Sequence, residues 1–359
     1  MLLTIIIAFF SLIGLMILHE FGHFIVAKKY GVKVEEFGIG YPPRIFAKKI
    51  GETVYSLNLL PFGAFVRLPG EIEKRNEPNS FSKQPIKKRA LIILGGVLAF
   101  WIIAAVIFSI VFNLGAPVAI SDSENANIIN PQVQIVGVAK DSPAEISGLM
   151  VGDTIKQLSF SGNVLAPEKT KQVQDFTLQY SGQEIELKIG RGKEIIETTI
   201  VPRVSPPQGE GAMGIALARV GIVKYPWYLT PWQGIVTTSN LTIGIINGYF
   251  NAIKNVFTGQ PSGVQMTGPV GVFYMLAQAQ EMGINYYLNF IAMISVYLAI
   301  FNLMPIPAVD GGKLLFLAIE AVRKKPVPEK VEANITAAFF MLLIILMIFV
   351  TINDISRIF

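Results

Sequence analysis

"TIIIAFFSLIGLMILHEFGHFIVAKK", residues 4–29, sets two histidines and a glutamate at the end of an otherwise apolar run. His19, Glu20 and His23 fit H-E-x-x-H, and the chain has no third histidine. On a helix, positions i and i+4 share a face, so both imidazoles can address one cation. Glu20 follows His19 directly and can stand beside that cation as a general base without ligating it. The bland alternative is a pair of satisfied core histidines. Ionisable groups in an apolar span are expensive, however, and three together favour function over packing.

The run that carries the motif also sets the fold class. Of 359 residues, 52% are hydrophobic and only 15% charged, against about 25% charged in ordinary globular chains. A bilayer span needs about 20 mostly apolar residues. Runs at 2–27, 90–112 and 335–352 qualify, and 286–304 is a further candidate that carries Asn289, Ser295 and Asn302. The first run lacks a basic start and a small-residue cleavage site, so it is expected to stay as a span. Lys28 and Lys29, then Lys83, Lys87, Lys88 and Arg89, then Arg323, Lys324 and Lys325 flank these runs. Four crossings bring all three clusters to one side, which the positive-inside rule makes cytoplasmic. Both termini and the polar middle then lie outside. The net charge of +5 therefore reads as membrane orientation and gives no case for nucleic acid. The absence of cysteine excludes disulfides, cysteine-ligated metal and a cysteine nucleophile.

Residues 52–70, "ETVYSLNLLPFGAFVRLPG", read as two short strands around "LPFG", a hairpin on the cytoplasmic side beside the histidines. Residues 125–205 alternate as strands, with "GQ" and "GRGK" as turns and a short helix over Pro143–Gly148, the texture of a small soluble domain. Within it 159–176 reads as a polar loop. Pro206, Pro207, Pro226 and Pro231 mark 206–240 as linker. In "LTIGIINGYFNAIKNVFTG" (241–259), Ile245, Ile246, Phe250 and Ile253 recur at helical spacing, which predicts an amphipathic helix in the membrane interface or on the bundle.

Catalytic zinc takes three protein ligands and keeps an open position. Without a further histidine or a cysteine, the third ligand must be a carboxylate. Asp310, in "FNLMPIPAVDGGKLLFLAIE" (301–320), follows an apolar span and falls on the side where the first span ends. Glu320 is a weaker rival, and Asp354 lies at the other face. Asp310 can also be read as an N-cap for the helix after it. Pro305 and Pro307 break the preceding helix, and such backbone at membrane depth is tolerated only beside protein or a water-filled cavity.

"HEFGH" together with "NLMPIPAVDGG" (302–312) resembles the site-2 protease family, the intramembrane zinc metalloproteases. The match is nearest to its bacterial, regulator-of-sigma-E-protease-like branch, which carries an extracytoplasmic PDZ domain. "FGIGYPPRIF" (37–46), "PFGAFVRLPGE" (61–71), "SPAEISGLMVGDTI" (142–155) and "MTGPVGV" (266–272) agree with it in the family's order. The resemblance implies that His19, His23 and Asp310 hold Zn2+ and that Glu20 is the catalytic base. It implies that Asn302, Pro305 and Pro307 help hold substrate near the metal. It makes the hairpin at 52–68, with Tyr55, Leu57 and Phe65, a re-entrant loop that takes substrate as an added strand. Val309 stands where leucine is common, one PDZ-like stretch is visible where some relatives have two, and the polar loop 159–176 departs from the family pattern as an insertion would.

The expected architecture is a multi-pass α-helical membrane protein with four transmembrane helices, a re-entrant β-hairpin and one inserted extracytoplasmic PDZ-like α+β domain. Residues 1–120 form the N-terminal membrane half, 121–205 the PDZ-like domain, 206–285 linker and amphipathic helix, and 286–359 the C-terminal membrane half. Expected partners are the lipid bilayer, single-pass membrane-protein substrates such as anti-sigma factors or remnant signal peptides, and a peptide or substrate ectodomain at the PDZ-like domain. The inner or plasma membrane is the expected location, with the active site toward the cytoplasm. Two other classes compete. A non-catalytic PDZ-bearing scaffold would be expected to lack Glu20 or Asp310; a metal transporter would be expected to show inverted hydropathy repeats.

Overall fold

Four helices among the described residues are long and apolar enough to cross a membrane: α1 (Leu2–Lys29), α2 (Ile86–Leu114), α7 (Ile284–Leu303) and α9 (Glu329–Ile358). The computed structural model describes residues 2–71, 75–122, 129–192, 194–207, 209–259 and 267–358, so Met266 of "MTGPVGV" lies outside the described residues. The chain divides into two units, one of Met1–Ser109, Pro231–Ala277 and Phe290–Phe359, the other of Ile110–Thr230 and Gln278–Asn289.

In the first unit α1 and α2 approach closely because both carry glycine where they meet. A Cβ on Gly22 would strike the Gly95 carbonyl, and one on Gly95 would strike Val26. Small residues of this kind let membrane helices pack backbone to backbone. Ala27, Val32, Val34, Leu68, Phe81, Ile92, Ile93 and Leu317 form a buried cluster that joins α1, α2, the chain after the hairpin, and α8 (Asp310–Arg323).

The hairpin is larger than its sequence suggests. Strand β1 (Glu36–Ile50) pairs antiparallel with β2 (Thr53–Arg67), from Ile50↔Thr53 to Arg44↔Asn58. Beyond that both strands bend, and Glu36–Ile39 acquires partners on both sides. Its register descends against Arg67–Ala64 and ascends along Val54–Leu57. The two short runs expected around "LPFG" therefore do not pair with each other, because Glu36–Ile39 lies between them. The bend brings the Phe62 ring against Phe9, 6.1 Å between centroids, and Gly63 against Met16.

The second unit is a sheet in the order β3 (Ala116–Ile120), β9 (Ile215–Val223), β4 (Ile129–Val138), β5 (Thr154–Phe160), β7 (Ile185–Arg191), β8 (Glu194–Ile200), with β6 (Asn163–Leu165) on β5. Val133, Ile135, Ile155, Leu158, Leu187 and Ile189 fill its core together with Val173 and Phe176 of α4 (Thr170–Gln179). The short helix α3 (Pro143–Ile146) is capped by Ser142, whose hydroxyl accepts the Glu145 N–H.

Residues outside 121–205 thus complete this sheet. β3 falls within 1–120, expected as membrane half, and β9 within 206–285, expected as linker and amphipathic helix. Alternating short runs at a domain's margins look like loop until a partner strand satisfies their backbone. The amphipathic helix is likewise longer than expected: α5 spans Thr230–Phe257, with Pro231 in its first turn, where proline is tolerated. It is followed by α6 (Pro269–Met282). The stretch 159–176, read as an insertion, carries the end of β5, β6 and most of α4.

Candidate metal centre and active site

Helical periodicity puts His19 and His23 one turn apart on α1, and the two Nε2 atoms lie 3.3 Å apart. Asp310, the first residue of α8, brings Oδ2 to 3.2 Å from His19 Nε2 and 3.1 Å from His23 Nε2. All three residues are buried. His23 Nδ1 bonds the Ile92 carbonyl of α2 at 2.9 Å, which leaves the Nε2 lone pair available to a metal. The His19 ring stacks on Phe100, 4.5 Å between centroids, while its Nδ1 is buried without a hydrogen-bond partner. A Cβ on Gly96 would collide with both imidazoles, so glycine is required where α2 backs the pair.

Two imidazoles and a carboxylate form a donor set suited to zinc, and bonds of about 2.0–2.2 Å in a tetrahedron separate ligand atoms by roughly 3.3–3.6 Å. The observed separations of 3.1–3.3 Å fit such an ion to within a few tenths of an ångström. Among the described residues this is the one cluster of histidine and acidic side chains that could hold a metal ion.

The rival carboxylates are engaged elsewhere. Glu320 receives two 3.0 Å bonds from Arg89 Nη1. Asp354 accepts the Gly271 N–H at 2.8 Å, at the start of α6. Asp310 does not cap its own helix: Val309 holds the N-cap position and makes no side-chain cap bond. Gly311 and Gly312 admit no Cβ, the first against Leu303 and Met304 and the second against Ile306 and Pro307. The broken segment after α7 is thereby pressed onto the first turn of α8.

Glu20 accepts the main-chain N–H of Val66 at 3.1 Å. Val66 belongs to Ala64–Arg67, the segment paired on one side with Glu36–Ile39. Of the three hairpin residues singled out from sequence, only Phe65 lies in this segment. It stacks on Tyr41, 6.0 Å between centroids, and covers Gly38. Tyr55 packs in an aromatic cluster with Phe24 and Phe37, and Leu57 is exposed. Asn302 donates to the Leu298 carbonyl of its own helix at 2.9 Å. Pro307 is buried beneath Gly312, and Pro305 is exposed.

Sequence reasoning missed Val66, Gly95, Gly96, Phe100, Glu71 and Lys313. The doublet Gly95–Gly96 inside an apolar helix was a usable signal, since interior glycine is unfavourable unless something must come close. Lys313 Nζ meets Glu71 Oε1 at 2.6 Å, and the Glu71 carboxylate holds that ammonium above the ordinary lysine range. In the hairpin, burial alone would raise the Glu36 carboxyl. The Ser56 hydroxyl and the Arg44 guanidinium, each at 2.7 Å, outweigh it and hold Glu36 below the usual carboxylate range.

The family model for Peptidase family M50 matches residues 7–346. A Clostridium perfringens chain that carries a zinc-metalloprotease name is 35% identical over 355 residues, 98% of each chain. The zinc metalloprotease RasP of Shouchella clausii is 28% identical over 440 residues, again 98% of each chain. RasP of Geobacillus kaustophilus is 29% identical over 441 residues, 99% of this chain and 98% of its own.

Proposed function

This chain belongs to peptidase family M50, the site-2 proteases, and from that premise we propose that it cuts membrane-spanning segments of tethered proteins, with His19, His23 and Asp310 as the zinc ligands and Glu20 as the base. It is a zinc metalloprotease of the membrane. The observation that carries the residue assignment is the convergence of two Nε2 atoms and one carboxylate oxygen from helices 287 positions apart in sequence.

Bound among these ligands, zinc supplies a Lewis acid and brings the pKa of water to about 7. The chain's own groups do the rest. Glu20 takes the proton of the attacking water on a carboxylate oxygen and returns it to the leaving amine. The Ile92 carbonyl keeps His23 in one tautomer, and Phe100 fixes the plane of His19. A helix in a bilayer satisfies its backbone internally, so a substrate must be unwound before its carbonyl can be reached. The segment Ala64–Arg67 is suited to receive that unwound backbone as an added strand, because its far edge already donates the Val66 N–H toward Glu20. In this reading Asn302 and the turn at Pro305 and Pro307 steady the substrate, the turn being pressed onto Gly311 and Gly312 beside Asp310.

Substrates in this reading are single-pass proteins such as membrane-tethered regulators or remnant signal peptides. The antiparallel unit with α3 and α4 is a PDZ-like domain outside the cytoplasm that receives substrate ectodomain or peptide. The lysine and arginine clusters at 28–29, 83–89 and 323–325 support that sidedness. The test is purified protein in detergent, assayed for bound zinc and for cleavage of a model transmembrane substrate. Glu20→Gln is expected to keep its zinc and lose cleavage; Asp310→Ala is expected to lose both. A Glu20→Gln protein that cleaves like wild type removes Glu20 from the base role.

A further inference from the structure

The site is built from three pieces that no covalent geometry holds together: Glu20 on α1, Asp310 on α8, and the strand segment Ala64–Arg67. The Val66 N–H ties the strand to α1. The strand is tied to α8 by a second contact, the 2.6 Å ion pair between Glu71 and Lys313.

Both ends of this pair sit on short, fixed leads. Lys313 is one turn after Asp310, so the two side chains leave α8 on the same face. Glu71 is four residues beyond Arg67, and the chain between cannot slide. Leu68 is buried in the cluster that also holds Leu317, Pro69 accepts the Phe81 N–H at 2.8 Å, and Glu71 donates its N–H to the Leu68 carbonyl at 3.2 Å. Gly70 takes φ +82°, and a Cβ there would strike Ser82. Movement of α8 along its axis is therefore passed to the strand edge, and the reverse.

Resting on the protease reading, we propose that Lys313 and Glu71 are positioning residues whose ion pair sets the register between the substrate strand on Ala64–Arg67 and the metal-ligating Asp310. The buried cluster that holds both Leu68 and Leu317 keeps the two elements together but is non-directional. A charge pair at one point selects one sliding position. Glu320, two turns beyond Lys313 on the same face of α8, pairs with Arg89 and fixes that helix to α2, which leaves the Lys313 end as the part that meets the strand. Strand pairing is quantised, and a slip of one residue carries every side chain to the opposite face. Loss of the clasp thus shifts which peptide bond is cut as well as how fast.

The experiment uses full-length protein in detergent with a model transmembrane substrate. Zinc content, kcat, KM and product masses are measured for wild type, Lys313→Met, Lys313→Glu, Glu71→Lys and the charge-swapped Lys313→Glu/Glu71→Lys. A misplacement of about 1 Å lowers turnover by roughly 100-fold, so each single variant should lose at least about tenfold in kcat. Each should keep its zinc and yield products cut at neighbouring bonds. The swapped protein should return to within about threefold of wild type with a single cut. Lys313→Met keeps the alkyl stem and reports the loss of charge where a reversal perturbs folding. Single variants that cut the wild-type bond at the wild-type rate overturn the proposal, as does a swapped protein no better than its parents. If zinc-loaded wild type yields no product, the protease reading fails instead.

Discussion

The main-chain N–H of Val66 donates to the Glu20 carboxylate across 3.1 Å, so the strand edge and the proposed general base are one hydrogen-bonded unit. A backbone donor cannot drift between rotamers as a side chain can. Glu20, the proposed base, is therefore oriented by the segment proposed to take the substrate strand.

Val66→Pro removes that donor while keeping a backbone conformation tolerated at a sheet edge. Cleavage should fall by about tenfold to 100-fold, a part of the roughly 100- to 10,000-fold that a positioned acid–base group contributes. Zinc content should stay at the wild-type level, and Val66→Ala should remain active. Metal analysis alongside turnover separates the two outcomes; equal activity of the proline and alanine variants would show that Glu20 is held by other means.

Gly96→Ala places a methyl group against the rings of His23 and His19. The imidazoles must rotate away, and the expected result is at least about tenfold weaker zinc binding, the scale on which changes to a ligand's orienting surroundings act. Competition with a chelator of known affinity measures it. Gly95→Ala meets Val26 and the Gly22 carbonyl instead, so its effect should appear in thermal stability more than in zinc affinity.

Glu36 is a buried carboxylate between Arg44, Arg67 and Ser56. Its folded pKa lies below the unfolded value. Its contribution is therefore complete above the unfolded value of about 4.3 and disappears as pH falls through the folded one. Glu36→Gln should cost about 1–3 kcal/mol at pH 7, less for the share carried by its half-exposed arginines. That difference from wild type should shrink as the pH falls below about 4. Thermal inactivation across this range tests the sign, and a gap that widens in acid would refute it.

Asp354 is buried at the end of α9 and accepts the Gly271 N–H at the first turn of α6. Asp354→Ala leaves that buried donor unpaired, at about 1–3 kcal/mol. Melting temperature should fall while zinc stoichiometry stays at the wild-type level. Loss of zinc in this variant would link the far end of α9 to the metal centre.

The sequence by itself determined what is local. Helical periodicity makes neighbours of His19 and His23 whatever surrounds them, and long, mostly apolar runs mark α1, α2, α7 and α9 because a bilayer accepts little else. The pairing of Glu36–Ile39 between two halves of β2, the addition of β3 and β9 to the second sheet, and the contact of Asp310 with the histidines required tertiary structure. Asp310, Glu320 and Asp354 are alike in composition, and each ends an apolar stretch. What separates them is which partner packing brings within 3 Å or so: the imidazoles for the first, Arg89 for the second and a helix N-terminus for the third. Contacts between positions far apart in sequence depend on glycine-sized gaps such as Gly22, Gly95 and Gly96, where one added methyl group decides whether two helices meet.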